Sequence, residues 1–326
     1  MVMTIQEIFD LAIKMGIEAD PRGKKFVEKQ LSKEKESYKK LDKEEKEDFD
    51  QERLSNPYLD SGIHYGDPKT KVKTVLVGID VETEEILLAD YLNRFYNRKI
   101  NVVIGHHPAS KTFANLAETM SLQNDLMAKF GVPINVAEKM MEKRIAEVSR
   151  GIHPINHYRE SDAAALLNMP FANIHTPADN LVHKFLEDFV EKNKGKWDTV
   201  GELKKAVEDI PEYKEAKKRS AGPKIFCGSE GSRLGKIAAT EITGGTSGPK
   251  EIYERLSQSG VGTILSMHLS EEWKKEAEKY HLNVLVLGHI ASDSVGMNLF
   301  LDKLEAKEIN IIPFSGLIRI SRNKKK

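Results

Sequence analysis

Histidine and aspartate recur in four short motifs: Gly105-His106-His107-Pro108, His153-x3-His157, His175-Thr176-Pro177-Ala178-Asp179 and Gly288-His289-x3-Asp293. Three of the four directly follow an apolar run that reads as a β-strand. A histidine at a strand end is anchored by a rigid element while its ring projects into a crevice, which suits a preorganised ligand. In His-x3-Asp, the two residues share one face where the loop after a strand turns into a helix, so both reach one ion. Any one of these histidines alone is more often structural, and His106-His107-Pro108 by itself reads as a strand stopped by proline. Together they read as a metal centre.

Neutral imidazoles with carboxylates suit Zn, Fe, Mn or Co, whereas Mg and Ca prefer all-oxygen cages. The lone Cys227 excludes an internal disulfide and a thiolate cage. Two carboxylates beside three or more histidines exceed what one four-coordinate ion needs, so the expectation is a dinuclear centre with a bridging carboxylate. His153 and His157, which follow a glycine and flank a proline in an expected loop, are candidates for substrate contact, as is Lys111.

Two glycine-rich stretches offer other chemistry. Thr243-Gly244-Gly245-Thr246-Ser247-Gly248-Pro249 precedes a helix expected near Lys250 and could cradle an anion, but it lacks the GK[ST] ending of a P-loop and reads better as a tight turn. Gly228-Ser229-Glu230-Gly231-Ser232 is not the G-x-S-x-G of a nucleophile elbow, which argues against serine catalysis.

The elements that must position the motifs form one unit used twice. Thr74 to Ile79 is an apolar strand, Glu82 to Asn93 a helix, and Ile100 to Ile104 a strand ending in Gly-His. Thr263 to Leu265, Ser270 to Tyr280 and Val284 to Leu287 repeat the order and again end in Gly-His. Continuous apolar strands joined by amphipathic helices imply parallel pairing, with the functional crevice beyond the strands' carboxyl ends. The expectation is an α/β fold of two similar halves with strand-helix-strand units, plus an N-terminal helical extension. Its divisions are residues 1–56 for the extension, 57–193 for the first half, 194–223 for a polar, Lys-rich connection and 224–326 for the second half. Pro133 to Val136 and Phe171 to Ile174 read as strands flanking a helical excursion, Glu138 to Leu167, suited to a lid or an oligomer contact.

Composition narrows the function classes. With 50 basic and 50 acidic residues the net charge is zero, so no whole-chain field holds nucleic acid or an anionic membrane. The longest apolar runs fall far short of the ~20 residues of a bilayer span, and Met1 to Met15 lacks the apolar core and cleavage site of a secretory signal. A cytoplasmic location is expected.

At these residues the sequence resembles the Nif-three-like family of dinuclear metal-binding proteins, often described as type-two homologues of GTP cyclohydrolase I. The resemblance runs from about Tyr58 to Ser321 and rests on Asp60-Ser61-Gly62, His106-His107-Pro108, the His175-to-Asp179 segment and Gly288-His289 with an acid four positions on. It implies that His106, His107, Asp179, His289 and Asp293 are the ligands of two divalent ions (Zn, Fe or Mn) per subunit, one carboxylate bridging, with His175 close by. It also implies a toroidal homohexamer with its metal sites facing an inner cavity. The family usually carries Glu where this chain has Asp293, one methylene shorter. The function expected is a metal-dependent hydrolase of a small molecule, the family description pointing to a purine nucleotide, with His175 shuttling a proton. The alternative is a ring-shaped scaffold without turnover, and nucleic-acid binding ranks last.

Overall fold

The computed structural model describes residues 2–323. Its strands form two principal sheets. The first has the order Asn310–Pro313, Thr74–Gly78, Val102–Gly105, Phe171–Asn173 and Gly62–Tyr65, with the first four parallel and the last antiparallel. The second has the order Lys224–Cys227, Asn283–Val286, Val261–Ser266 and Lys236–Glu241, parallel except for the first. Thr74–Gly78, Val102–Gly105 and Asn283–Val286 are buried at every position, which is why they read as continuous apolar runs rather than alternating ones. Both strand-helix-strand units therefore exist as expected, one in each sheet, within a mixed α/β fold that begins with helices.

Two long helices lie against both cores. Thr176–Lys192 gives Ala178 to the core of the first sheet and Val182 and Leu186 to that of the second. His289–Glu305 does the same with Met297, Phe300 and Leu301 on one side and Ala291 and Val295 on the other. They pack on each other at Gly296, where a Cβ would stand 2.2 Å from the carbonyl oxygen of Ala178. The missing side chain lets the backbones approach closely near Asp179 and Asp293.

The N-terminal helices cover the outside of this arrangement. Ile5–Ala19, started by a capping box of Thr4 and Glu7, packs along Thr176–Lys192. Gly16 lies against Pro177, 2.7 Å from a would-be Cβ to its Cα. Asp20, buried, ties the crossing together by accepting from Tyr58 Oη at 2.9 Å and pairing with Arg22.

Several local readings are corrected. Pro133 to Val136 is not a strand: Pro133 caps the helix Ile134–Ile152, where its fixed φ and missing N–H are harmless. That helix runs through Gly151, and the break falls at residues 153–158 before the helix Arg159–Leu167. The polar stretch from Lys194 contains two helices, Val200–Glu208 and Pro211–Lys218, whose Val200, Leu203, Val207 and Tyr213 are buried in the second core. Lys236–Glu241 is an unexpected strand, and Asn310–Pro313 carries the chain back to the first sheet.

Candidate metal centre

Because the strands of each sheet run parallel, their carboxyl ends deliver side chains to one edge. In the first sheet these are Asp80 beyond Gly78, His106 and His107 beyond Gly105, and His175 beyond Asn173. In the second they are Glu241, His268 beyond Ser266, and His289 beyond Val286. The two edges face one cavity of about 350 Å³, whose wall includes His107, His175, Asp179, Glu241, His268 and His289.

The helices following two of these strands each begin with the His-x3-Asp arrangement. His175 Nε2 lies 3.6 Å from Asp179 Oδ2, and His289 Nε2 lies 3.6 Å from Asp293 Oδ2. Asp179 sits in the first turn of its helix, where free backbone N–H groups favour a carboxylate, and Asp293 lies at the start of the second turn of the helix His289–Glu305. His106, fully buried, stands between them, its Nε2 at 3.4 Å from Asp179 Oδ1 and 3.6 Å from Asp293 Oδ1. His107 Nε2 is 3.4 Å from Asp293 Oδ2, and its ring packs 5.1 Å from that of His289.

The opposite nitrogens of the three first-sheet histidines are all engaged by acceptors. His106 Nδ1 donates to the carbonyl of Ile174 at 2.9 Å, His107 Nδ1 to Asp80 at 2.6 Å, and His175 Nδ1 to Asp60 at 2.7 Å. None of these acceptors has a proton to give, so each Nδ1 carries the hydrogen and each Nε2 is left as the atom facing the carboxylates. Asp60 is itself held by Thr176 Oγ1 at 2.6 Å.

This set of side chains fits a cation. Nε2 of His106 and His107, Oδ1 of Asp179 and both carboxylate oxygens of Asp293 are buried with no hydrogen-bond partner among the described residues. Leaving that many buried polar atoms unpaired is costly, and a metal ion satisfies them at once. Two groups have ligand atoms close enough to share an ion: His106, His175 and Asp179, and His106, His107 and Asp293. Electrostatics agree. Burial opposes charge on His106, but Asp293 and Asp179 outweigh it and hold the imidazole well above its usual range. His107 is likewise raised, to about 9, by Asp293 and Asp80 against the cost of burial. Asp179, despite burial, is held below the usual carboxylate range by His175 and His106. The pocket is built around positive charge. His289 differs, lowered chiefly by burial, and its side chain is 41% exposed.

The candidate substrate residues are placed less centrally. Lys111 pairs with Asp50 at 2.5 Å and does not line the cavity, nor does His153 at the end of the helix Ile134–Ile152. His157 packs edge-on against Phe113 with ring centroids 5.5 Å apart, and only Phe113 reaches the cavity wall. The reason is that the chain from Gly151 folds back against the first half, so nearness in sequence to the motifs did not carry over into space.

The glycine-rich loop after Glu241 does line the cavity, and its carbonyls are tied down by side chains. Gln123 donates to Thr246 O at 2.8 Å, Arg144 to Ser247 O at 3.0 Å and Trp273 to Gly248 O at 3.1 Å. The next helix, Ile252–Gln258, is short and begins beyond the loop, so the segment serves as a wall. Ser229 and Ser232 form an exposed turn away from the cavity.

Sequence reading missed four groups here: Asp60 was noted only as part of a motif, and Asp80, Glu241 and His268 were not singled out. The strand-end rule that found His106 applies equally to Gly78-Ile79-Asp80 and Ser266-Met267-His268. Glu241 was hidden because its strand was not recognised.

No protein-family model matches the chain, and no curated protein matches it. Among solved structures it is similar to a NIF3 superfamily protein from Sphaerobacter thermophilus, with 28% identity, a TM-score of 0.69, and coverage of 79% of this chain and 92% of that one. It also matches, more loosely, the reduced form of HcgD from Methanocaldococcus jannaschii, at 15% identity and a TM-score of 0.49 over 78% of this chain and 88% of that one.

Proposed function

Because the chain belongs to the NIF3 superfamily, we propose that its buried His/Asp cluster holds two divalent metal ions and that the protein is a metal-dependent hydrolase of a small molecule. The observation that carries this reading is the set of five unpartnered, buried ligand-type atoms on His106, His107, Asp179 and Asp293.

One Nε2 lone pair serves one ion, so His106 cannot complete both groups. We assign His106, His175 and Asp179 to one ion, and His107, His289 and Asp293 to the other. Asp293, within 3.6 Å of His106, His107 and His289, is the carboxylate that would reach both ions. His175 then acts as a ligand rather than as the proton shuttle expected from sequence, because Asp60 fixes its Nδ1 and its Nε2 faces Asp179. Zn, Fe or Mn suits such a donor set.

A metal pair of this kind supplies Lewis-acid polarisation of the scissile group and a water nucleophile at neutral pH. The chain's own residues do the rest. Asp60 and Asp80 orient the imidazoles, Phe113 and Leu116 give the cavity an apolar part, and His268 and Glu241 offer further polar atoms on its wall. His268, lowered chiefly by burial, is an imidazole that can accept a proton, with Ser247 Oγ 3.1 Å from its Nδ1.

The protein is further proposed to work as a homohexamer in the cytoplasm. No described helix is long and apolar enough to cross a membrane. The helix Thr83–Tyr96 carries an exposed apolar stripe that a second copy would cover, with Phe95 69% exposed.

The test is metal content per chain by elemental mass spectrometry, on protein purified without chelator or added metal, beside His107→Ala and Asp179→Ala. The expected result is close to two ions in the parent and a clear loss in each variant, followed by hydrolysis in a screen of amides and phosphoesters. Absence of metal even after reconstitution, or full metal in both variants, overturns it.

A further inference from the structure

Glu241 ends the Lys236–Glu241 strand on the wall of the cavity that the histidine cluster also lines, paired in register with Ser266. Its carboxyl makes no hydrogen bond and no ion pair with any described residue. Arg144, whose charge acts on it, is engaged elsewhere: its Nε donates to Ser247 O at 3.0 Å, its Nη1 pairs with Glu147 at 2.9 Å, and its guanidinium lies over Trp273. No described Lys or Arg lines the cavity. Beside it stand the apolar side chains of Phe113, Leu116 and Met267.

We infer that Glu241 is the specificity-determining residue of this cavity: it receives an N–H-bearing, uncharged or cationic edge of the substrate, such as an amide, amidine or amino-substituted ring, and excludes a phosphate from that end.

The argument is one of charge and unmet bonding. A carboxyl half inside a cavity and without a donor is costly to keep, and burial, only partly offset by Arg144, pushes this one up to about 7. A ligand that brings N–H donors removes that cost, because a carboxylate and a paired N–H edge make charge-assisted hydrogen bonds. An anion at that end brings the opposite: repulsion from Glu241, with no described lysine or arginine on the cavity wall to offset it. The volume of about 350 Å³ suits a ligand of one or two rings, its apolar face against Phe113 and Met267. This inference rests on the reading of the cavity as the substrate site and replaces the nucleotide expectation with an amide- or amidine-type one.

The experiment compares benzamidine with benzoate, two planar probes of one ring that differ in the sign and hydrogen-bonding sense of the edge. Binding is measured by calorimetry on the protein as purified and again after chelation, for the parent and for Glu241→Gln. Benzamidine is expected to bind the parent in both states and to weaken by about tenfold in Glu241→Gln, the loss of one charge-assisted contact, while benzoate affinity stays the same or rises. The thermal midpoint of Glu241→Gln is expected to equal or exceed the parent's, because the carboxyl has no partner to lose. Metal content, measured on the same samples, separates this result from the metal reading: a protein that holds no metal but shows the Glu241 effect loses only the latter. Benzamidine binding that is absent or insensitive to Glu241→Gln, benzoate weakened by that substitution, or a fall in the variant's midpoint overturns the inference.

Discussion

Asp80 accepts a hydrogen bond from Nδ1 of His107 at 2.6 Å, and in doing so turns Nε2 of that ring toward Asp293, 3.4 Å away. The same relation joins Asp60 to His175 and the Ile174 carbonyl to His106. Three rings from two strand ends thus have their Nδ1 side fixed by the protein, which leaves Nε2 of each turned toward the carboxylates. The bond also holds Asp80 below the usual carboxylate range.

Asp80→Asn should therefore weaken metal binding without emptying the site. An outer partner of a ligating histidine typically contributes 10–100-fold in affinity. Competition against a chromophoric chelator measures it, and the stoichiometry at saturation should match the parent's. Unchanged affinity would show that the ring is oriented by packing alone.

Gly296→Ala should disturb the centre from outside it. The new Cβ would stand 2.2 Å from the carbonyl oxygen of Ala178, so the helices carrying Asp179 and Asp293 must separate. Overpacking of this kind costs about 1–3 kcal/mol. A lower denaturant midpoint together with weaker metal binding is the expected pair of results. Loss of stability with metal affinity intact would mean that the crossing does not set the carboxylate spacing.

Charge placed on the exposed stripe of Thr83–Tyr96 should break the proposed oligomer. Tyr91 and Phe95 pack as a tilted pair with ring centroids 4.6 Å apart on the open face of that helix. In Tyr91→Asp with Phe95→Asp, light scattering should report a smaller species than in the parent at equal concentration, with circular dichroism unchanged. If the variant has the parent's mass, this stripe is not a contact between copies.

His64 gives a pH signature. Burial, against a hydrogen bond to Asn173 at 2.9 Å, lowers it to about 4. The unfolded chain then binds the proton more readily than the folded one between about 4 and the ordinary histidine value near 6.5. The contribution of neutral His64 is whole above that value and is lost as pH falls toward 4. His64→Gln keeps a donor for Asn173 and cannot take the proton. Melting curves should show the parent's advantage over this variant shrinking from pH 7 to pH 4, whereas a constant difference would show that His64 does not titrate in the fold.

The sequence by itself carried the parts of this protein that depend on local chemistry. His106-His107-Pro108 and the two His-x3-Asp pairs were legible because a strand end and a helix start place such residues on one face whatever surrounds them. The repeated strand-helix-strand unit was legible because strands buried on both faces must be apolar throughout. Tertiary structure decided which distant groups meet. Asp60 reaches His175 across 115 positions of chain, and Gly296 lets two helices close on the carboxylates. Glu241 became part of the cavity only because the second sheet sets its strand beside Val261–Ser266. Lys111 was lost to Asp50 for the same reason: pairing between remote side chains follows from how elements pack, and spacing along the chain does not encode it.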